Sequence, residues 1–94
     1  EEDEPSDMEI AWEALEVSRK IFETEGDPTH DEFLSEVYEA LGDVSRFNGN
    51  FQGAIEEYKK CVQLREAALD DSDRLLAQAH YSLAVAYIYN AGEE

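Results

Sequence analysis

Cysteine is almost missing from this sequence: Cys61 is the only one in 94 residues. That excludes an intrachain disulfide framework and a cysteine-rich zinc site, and it fits a reducing, intracellular compartment. Proline is nearly as scarce, with two residues, and glycine contributes five, too few turn formers for a sheet with many hairpins. No apolar run approaches the ~20 residues of a membrane-spanning helix, and no basic-then-apolar signal segment stands at the start. Positive charge is the largest deficit. Seven Lys and Arg face 24 Asp and Glu, a net charge of −17, so the chain repels phosphate backbones and anionic bilayers, and direct contact with nucleic acid or membrane is not expected. Catalytic constellations are missing too: no nucleophile pairs with a base, and no ligand spacing suits a metal, so neither an enzyme nor a cofactor site is expected. The cluster Asp70-Asp71-Ser72-Asp73 lacks the Gly and terminal Glu of a calcium loop and reads as a helix stop and cap.

What is present is helical. Hydrophobic residues make up 43% of the chain, enough for a core, and Ala, Leu and Glu are abundant, with five Tyr among the aromatics. Ser6-Asp7-Met8-Glu9 has the form of a capping box and opens a first helix over about 7–25. Two apolar stripes run along it, Met8, Trp12, Leu15 and Phe22 on one side and Ile10, Ala14, Val17 and Ile21 on the other, so it should touch more than one neighbour. After Gly26-Asp27-Pro28, Thr29 to Glu32 offers a second capping box, and Phe33, Leu34, Val37, Tyr38, Leu41 and Val44 keep helical spacing over about 30–48. Asn48-Gly49-Asn50 breaks that pattern, a third helix follows over about 51–69, and a fourth over about 73–90. The expected domain is 6–92. With Glu1-Glu2-Asp3-Glu4-Pro5 and no Met at the start, the chain reads as part of a longer protein.

Internal repetition then organises the helices. Leu41-Gly42 in the second helix recurs as Leu83-Ala84 in the fourth, 42 residues on. Ala11-x-x-x-Leu15-x-x-Ser18 recurs as Ala54-x-x-x-Tyr58-x-x-Cys61, 43 residues on. Tyr38-x-x-Leu41-Gly42 followed by Phe51-x-x-Ala54-x-x-x-Tyr58-x-x-Cys61 matches the tetratricopeptide pattern, whose ordinary period is ~34 residues. The expected fold is therefore all-α: a tetratricopeptide-repeat α-solenoid fragment of four antiparallel helices in the order B–A–B–A, where A and B are the two helices of a repeat. Its period is about eight residues too long, with the excess around Arg65 to Ser72. Gly42 and Ala54 should mark a close helix crossing, with Tyr38, Leu41 and Tyr58 packed around it.

At 100° per residue, Glu32, Glu36, Glu39 and Asp43 share one helix side, away from the Tyr38/Leu41 packing side. In a tetratricopeptide array the first helix of each hairpin lines the concave surface, so this acidic stripe should face a groove. Arg46 is the one local counter-charge. Like charges at such spacing cost an isolated helix roughly 0.2–0.5 kcal/mol per pair; a solvated face and a site for a basic ligand are the two readings. The corresponding side of the fourth helix carries Arg74, Gln78, Tyr81, Val85 and Tyr89, a largely apolar stripe. Acid on one wall and aromatic area on the other suit an amphipathic basic segment. His80 reads as a core or half-buried histidine, His30 as solvated, Cys61 as an inert buried thiol, and Trp12 as core.

Three segments, Leu41-Gly42-Asp43-Val44-Ser45, Phe51-Gln52-Gly53-Ala54-Ile55-Glu56-Glu57-Tyr58-Lys59-Lys60-Cys61 and Asp73 to Asn90 (DRLLAQAHYSLAVAYIYN), together resemble the interrupted tetratricopeptide repeat (SHNi-TPR) of the NASP family of histone chaperones. The first helix, with AWEALEVSRKIF, resembles the family's helix after a long acidic interruption, which makes residues 1–5 the end of that insert. The resemblance implies a non-enzymatic, nuclear and also cytoplasmic chaperone in nucleosome assembly, whose partner is histone H3 or the H3–H4 pair, with linker histone left open. It also implies that Asp43, Gln78 and Tyr81 contact the histone; Glu36, Glu39 and Val85 join them from the stripe argument. Gln78 stands where the family tends to have an acid, and Ala84 where it tends to have Gly. A general long-repeat adaptor, like those of kinesin light chain, is the alternative. Apolar outer faces on the end helices also raise the expectation of a homodimer or helix exchange.

Overall fold

In the computed structural model, which describes residues 7–92, the chain forms four α-helices: α1 Asp7–Glu25, α2 Asp31–Phe47, α3 Phe51–Ala68 and α4 Arg74–Gly92. A single 3-10 turn, Pro28–His30, joins α1 to α2, and no strand occurs among the described residues. The capping box expected at Ser6 and the acidic run 1–5 lie outside them. Short connections make successive helices antiparallel neighbours, and each packs mainly on the next, α1 on α2, α2 on α3, α3 on α4. The result is a slab of 47 × 35 × 18 Å. It is an all-α helical-repeat fragment.

Each connection has a local cause. Between α1 and α2 the capping box expected from Thr29 to Glu32 does not form. Asp27 Oδ1 instead accepts from the Thr29 N–H at 3.0 Å, and His30 takes the cap position with no side-chain hydrogen bond of its own. The Asx turn before Pro28 captures the amide first and moves the helix start one residue on. His30 is half-buried rather than solvated, tilted against Phe22 with ring centroids 5.2 Å apart. Between α2 and α3, Gly49 has φ +83°, a left-handed conformation that closes the helix at little cost for glycine, and Asn50 then caps α3 by accepting from the Gly53 N–H at 3.0 Å. At the far end Leu69 turns extended (φ −122°, ψ 157°), and Asp73 accepts from the Leu75 N–H at 2.9 Å to start α4.

The core centres on α3. Leu34 and Tyr38 of α2, Cys61 and Val62 of α3 and Ala79 of α4 form one buried cluster, with Phe22, Leu64 and Leu83 against it. Ala54, Ile55, Tyr58 and Ala86 form a second, also touched by Leu83. Leu83 thus ties the two together. Gly42 lies where α2 and α3 cross: a Cβ there would meet Tyr58 Cε1 at 2.4 Å, so the crossing demands a residue without a side chain. Burial lifts the Cys61 thiol to about 11, the neighbouring Arg65 pulling it back only in part, which leaves the thiol protonated and inert at neutral pH.

Two expectations fail on α1 and α4. Trp12 is 43% exposed, not core, because α1 meets only α2 closely and contributes no fully buried residue. The other apolar stripe of α1, Ile10, Val17 and Ile21, is also half-exposed. His80 is exposed, 3.5 Å from Glu66 of α3. The α4 seam that meets α3 runs through Leu76, Ala79, Leu83 and Ala86, and this places His80 one step around the helix from Ala79, at the rim.

Candidate functional site: an acidic and aromatic face across α2 and α4

The α2 wall begins at the crossing. Because Gly42 turns into Tyr58, the next residue points outward, and Asp43 is exposed. It is not free of its surroundings: Tyr58 donates its hydroxyl to Asp43 Oδ1 at 2.5 Å, and Arg46 stands 3.9 Å away. Burial is the main reason the Tyr58 hydroxyl is pushed up to about 12, and its bond to Asp43 adds to that. Tyr58 therefore remains a donor throughout the physiological range and holds the carboxylate by Oδ1, which leaves Oδ2 without a bond to another described residue. One and two turns earlier lie Glu39 and Glu36, then Glu32. Glu32 and Glu36 are exposed.

Glu39 differs from the rest of its stripe. It is half-buried and committed to the protein itself: Arg65 donates to one oxygen at 3.0 Å and Gln78 to the other at 2.7 Å. Arg65, from α3, is 4% exposed and also donates to Ser35 Oγ at 3.3 Å and to the Leu75 carbonyl at 3.0 Å. Three helices meet at this one guanidinium. A buried ion pair of this kind is well formed only when every donor finds an acceptor. Arg65 is thus a second counter-charge to the acidic stripe, besides Arg46, and sequence reading missed it. On an acidic chain a lone Arg near a helix end reads as a surface cation; only the missing counter-charge for Glu39 hinted otherwise.

Gln78 brings the α4 wall to α2, since its hydrogen bond to Glu39 crosses between the helices. A turn along, Tyr81 is 71% exposed and Val85 is half-buried. Tyr89 continues the stripe and stacks on Phe51, ring centroids 5.5 Å apart, beside an open cleft of about 470 Å³ that Asp43, Arg46 and Phe47 also line. Of the six expected residues the structure joins two across the helices, Glu39 and Gln78; Glu36 and Asp43 flank Glu39 along α2, and Tyr81 and Val85 follow Gln78 along α4. Among the described residues no group of His, Cys, Asp and Glu is arranged to hold a metal, and no helix is long and apolar enough to cross a membrane.

Known proteins are similar to this chain in sequence. The SHNi-TPR family description matches residues 35–71, the α2–α3 hairpin with the extension of α3. Nuclear autoantigenic sperm protein of Homo sapiens is 36% identical over 91 residues, 97% of this chain and 12% of that protein. The chain belongs to the NASP family. A NASP-related protein, sim3, of Schizosaccharomyces pombe is 32% identical over 100 residues, 100% of this chain and 25% of that protein. Histone-binding protein N1/N2 of Xenopus laevis is 30% identical over 87 residues, 93% of this chain and 15% of that protein. The present NASP-family chain thus spans about an eighth of the length of the human relative.

Proposed function

We propose that this chain is a histone-chaperone module that holds histone H3, alone or paired with H4, on the α2–α4 face and away from premature contact with DNA. The carrying observation is the pairing of two unlike walls. The carboxylates of Glu32 and Glu36 make no hydrogen bond or ion pair with other described residues, Asp43 uses only Oδ1 in its bond to Tyr58, and Tyr81, one turn beyond Gln78 on α4, is 71% exposed. Carboxylates at helical spacing attract a basic segment and fix its register, and an exposed aromatic ring adds apolar area that holds it. A net charge of −17 steers such a partner in and disfavours DNA. The name of the Xenopus relative, a histone-binding protein, supports the same reading, and the name of the human relative, a nuclear protein, supports a nuclear place of work as part of it. The role is binding, not catalysis. Glu39 and Gln78 act in it by joining the walls, while Glu36, Asp43, Tyr81 and Val85 meet the partner.

The test is a titration of this chain with recombinant H3–H4, with H3 peptides and with linker histone, repeated across salt. Asp43→Asn keeps an oxygen for Tyr58 and removes the charge; it should weaken H3–H4 binding about tenfold, the scale of ~1.4 kcal/mol for one close charge. Unchanged affinity at low salt would take Asp43 out of the interface. Equal affinity for non-histone peptides of the same charge would mark a general adaptor instead.

A further inference from the structure

The excess length of the repeat has a structural result. Helix α3 continues to Ala68 before Leu69 turns extended, so its last turn stands beside the first turns of α2 and α4. The three elements enclose a cleft of about 250 Å³, lined by Leu64, Ala68, Leu69 and Leu75 on the α3–α4 side and by Asp31, Glu32, Ser35 and Glu36 on α2, with Arg65 at its base. It is smaller than the ~300–1,000 Å³ pockets that take drug-sized ligands. One long side chain suits it better.

We propose that this cleft is a subsite for a single lysine or arginine side chain of a basic protein segment bound along the α2–α4 face. Such a side chain has an apolar stem and a charged head, and the cleft offers the matching pair of surfaces. Leu75 is 40% exposed and Ala68 is exposed, giving an apolar wall for the stem. Asp31, Glu32 and Glu36 supply carboxylates for the head, and none makes a side-chain hydrogen bond or ion pair with another described residue. Arg65 does not oppose a second cation there, because its guanidinium is already spent on Glu39, Ser35 and the Leu75 carbonyl. Its three bonds hold the base of the cleft in place. An acidic or uncharged polar side chain would meet three like or unpaired carboxylates instead. The subsite lies about three turns of α2 from Asp43, at the other end of the stripe, so a ligand that fills it is read at two separated points.

This assignment rests on the reading of the α2–α4 face as a site for basic segments, and the experiment separates the two. One variant addresses the cleft alone: Ala68→Leu fills it from an exposed position; a second, Glu32→Gln with Glu36→Gln, removes two charges that the cleft shares with the wider face, without changing size. Circular dichroism melts establish that both remain folded. Recombinant H3–H4 binding should weaken about tenfold in each, and methyl resonances of Leu69 and Leu75 should shift when octalysine is added to the wild-type chain but not when the fully acetylated peptide is added. Wild-type affinity for H3–H4 in Ala68→Leu overturns the subsite and leaves the wider face intact. If H3–H4 does not bind the wild-type chain at all, the chaperone reading fails, and octalysine decides the cleft: lysine-dependent methyl shifts that Ala68→Leu abolishes sustain it, and their absence overturns it.

Discussion

At the scale of single residues, Gly42 carries the tightest constraint. A Cβ placed there overlaps the Tyr58 ring, and Tyr58 has no room to retreat, being fully buried with its hydroxyl tied to Asp43 and Arg46. Gly42→Leu should therefore destabilise the chain by about 1–3 kcal/mol or more through overpacking, read as a fall in the urea midpoint; an unchanged midpoint would contradict the packing. Glu57 gives a prediction in pH. Burial is the leading reason its carboxyl lies above the ordinary carboxylate range, with Glu16 and Glu23 adding to it and Lys60 and Arg19 opposing, and its Oε1 is buried without a hydrogen-bond partner. A folded pKa above the unfolded one means that the native state binds the proton more tightly. Stability then falls as pH rises from the unfolded value through the folded one. Glu57→Gln should raise the melting temperature at neutral pH, and the gain should vanish as pH drops below the carboxylate range. A gain that persists in acid would rule out the charge as its cause.

Between elements, burial is unevenly shared. Six residues of α3 are buried, Ala54, Ile55, Tyr58, Cys61, Val62 and Arg65, and none of α1. Helix α1 is held by Phe22 against the core cluster and by the Tyr38 hydroxyl bonded to Glu23. Its own ion pairs, Arg19 with Glu16 and Glu23, lie within the helix and are worth only tenths of a kcal/mol each. Amide hydrogen exchange should accordingly be fastest in α1 and slowest in α3, since local opening follows the number of buried contacts. Equal protection of the two helices would show that α1 is anchored by something other than this packing.

For the molecule as a whole, charge and apolar surface act in opposite directions. Ile10, Val17 and Ile21 leave one end of the stack half-covered, and Ile88, 69% exposed, does so near the other. A head-to-tail meeting of these faces is open-ended, and a net charge of −17 opposes it at low salt. Sedimentation should show self-association growing with concentration and with added salt, whereas binding of a basic partner should weaken as salt rises. A strictly monomeric profile at millimolar protein and high salt would exclude the association. The two salt responses have opposite signs, so one buffer series separates them.

The sequence by itself determined the helices, their order and the crossing at Gly42, because each rests on local signals: 3.6-residue periodicity, glycine and asparagine at the breaks, and a small residue repeated where helices touch. It also determined the acidic stripe, since four carboxylates at spacings of four, three and four share a helix side whatever surrounds them. Only the tertiary structure decided what each member of that stripe does. Glu39 turned out to be claimed by Arg65 and Gln78 from two other helices, whereas Glu32 and Glu36 kept their charge for the surface. Trp12 and His80 went outward for the same kind of reason, the identity of the neighbour on each side. A helix pattern states which residues share a side, but burial and pairing depend on what another part of the chain places against it.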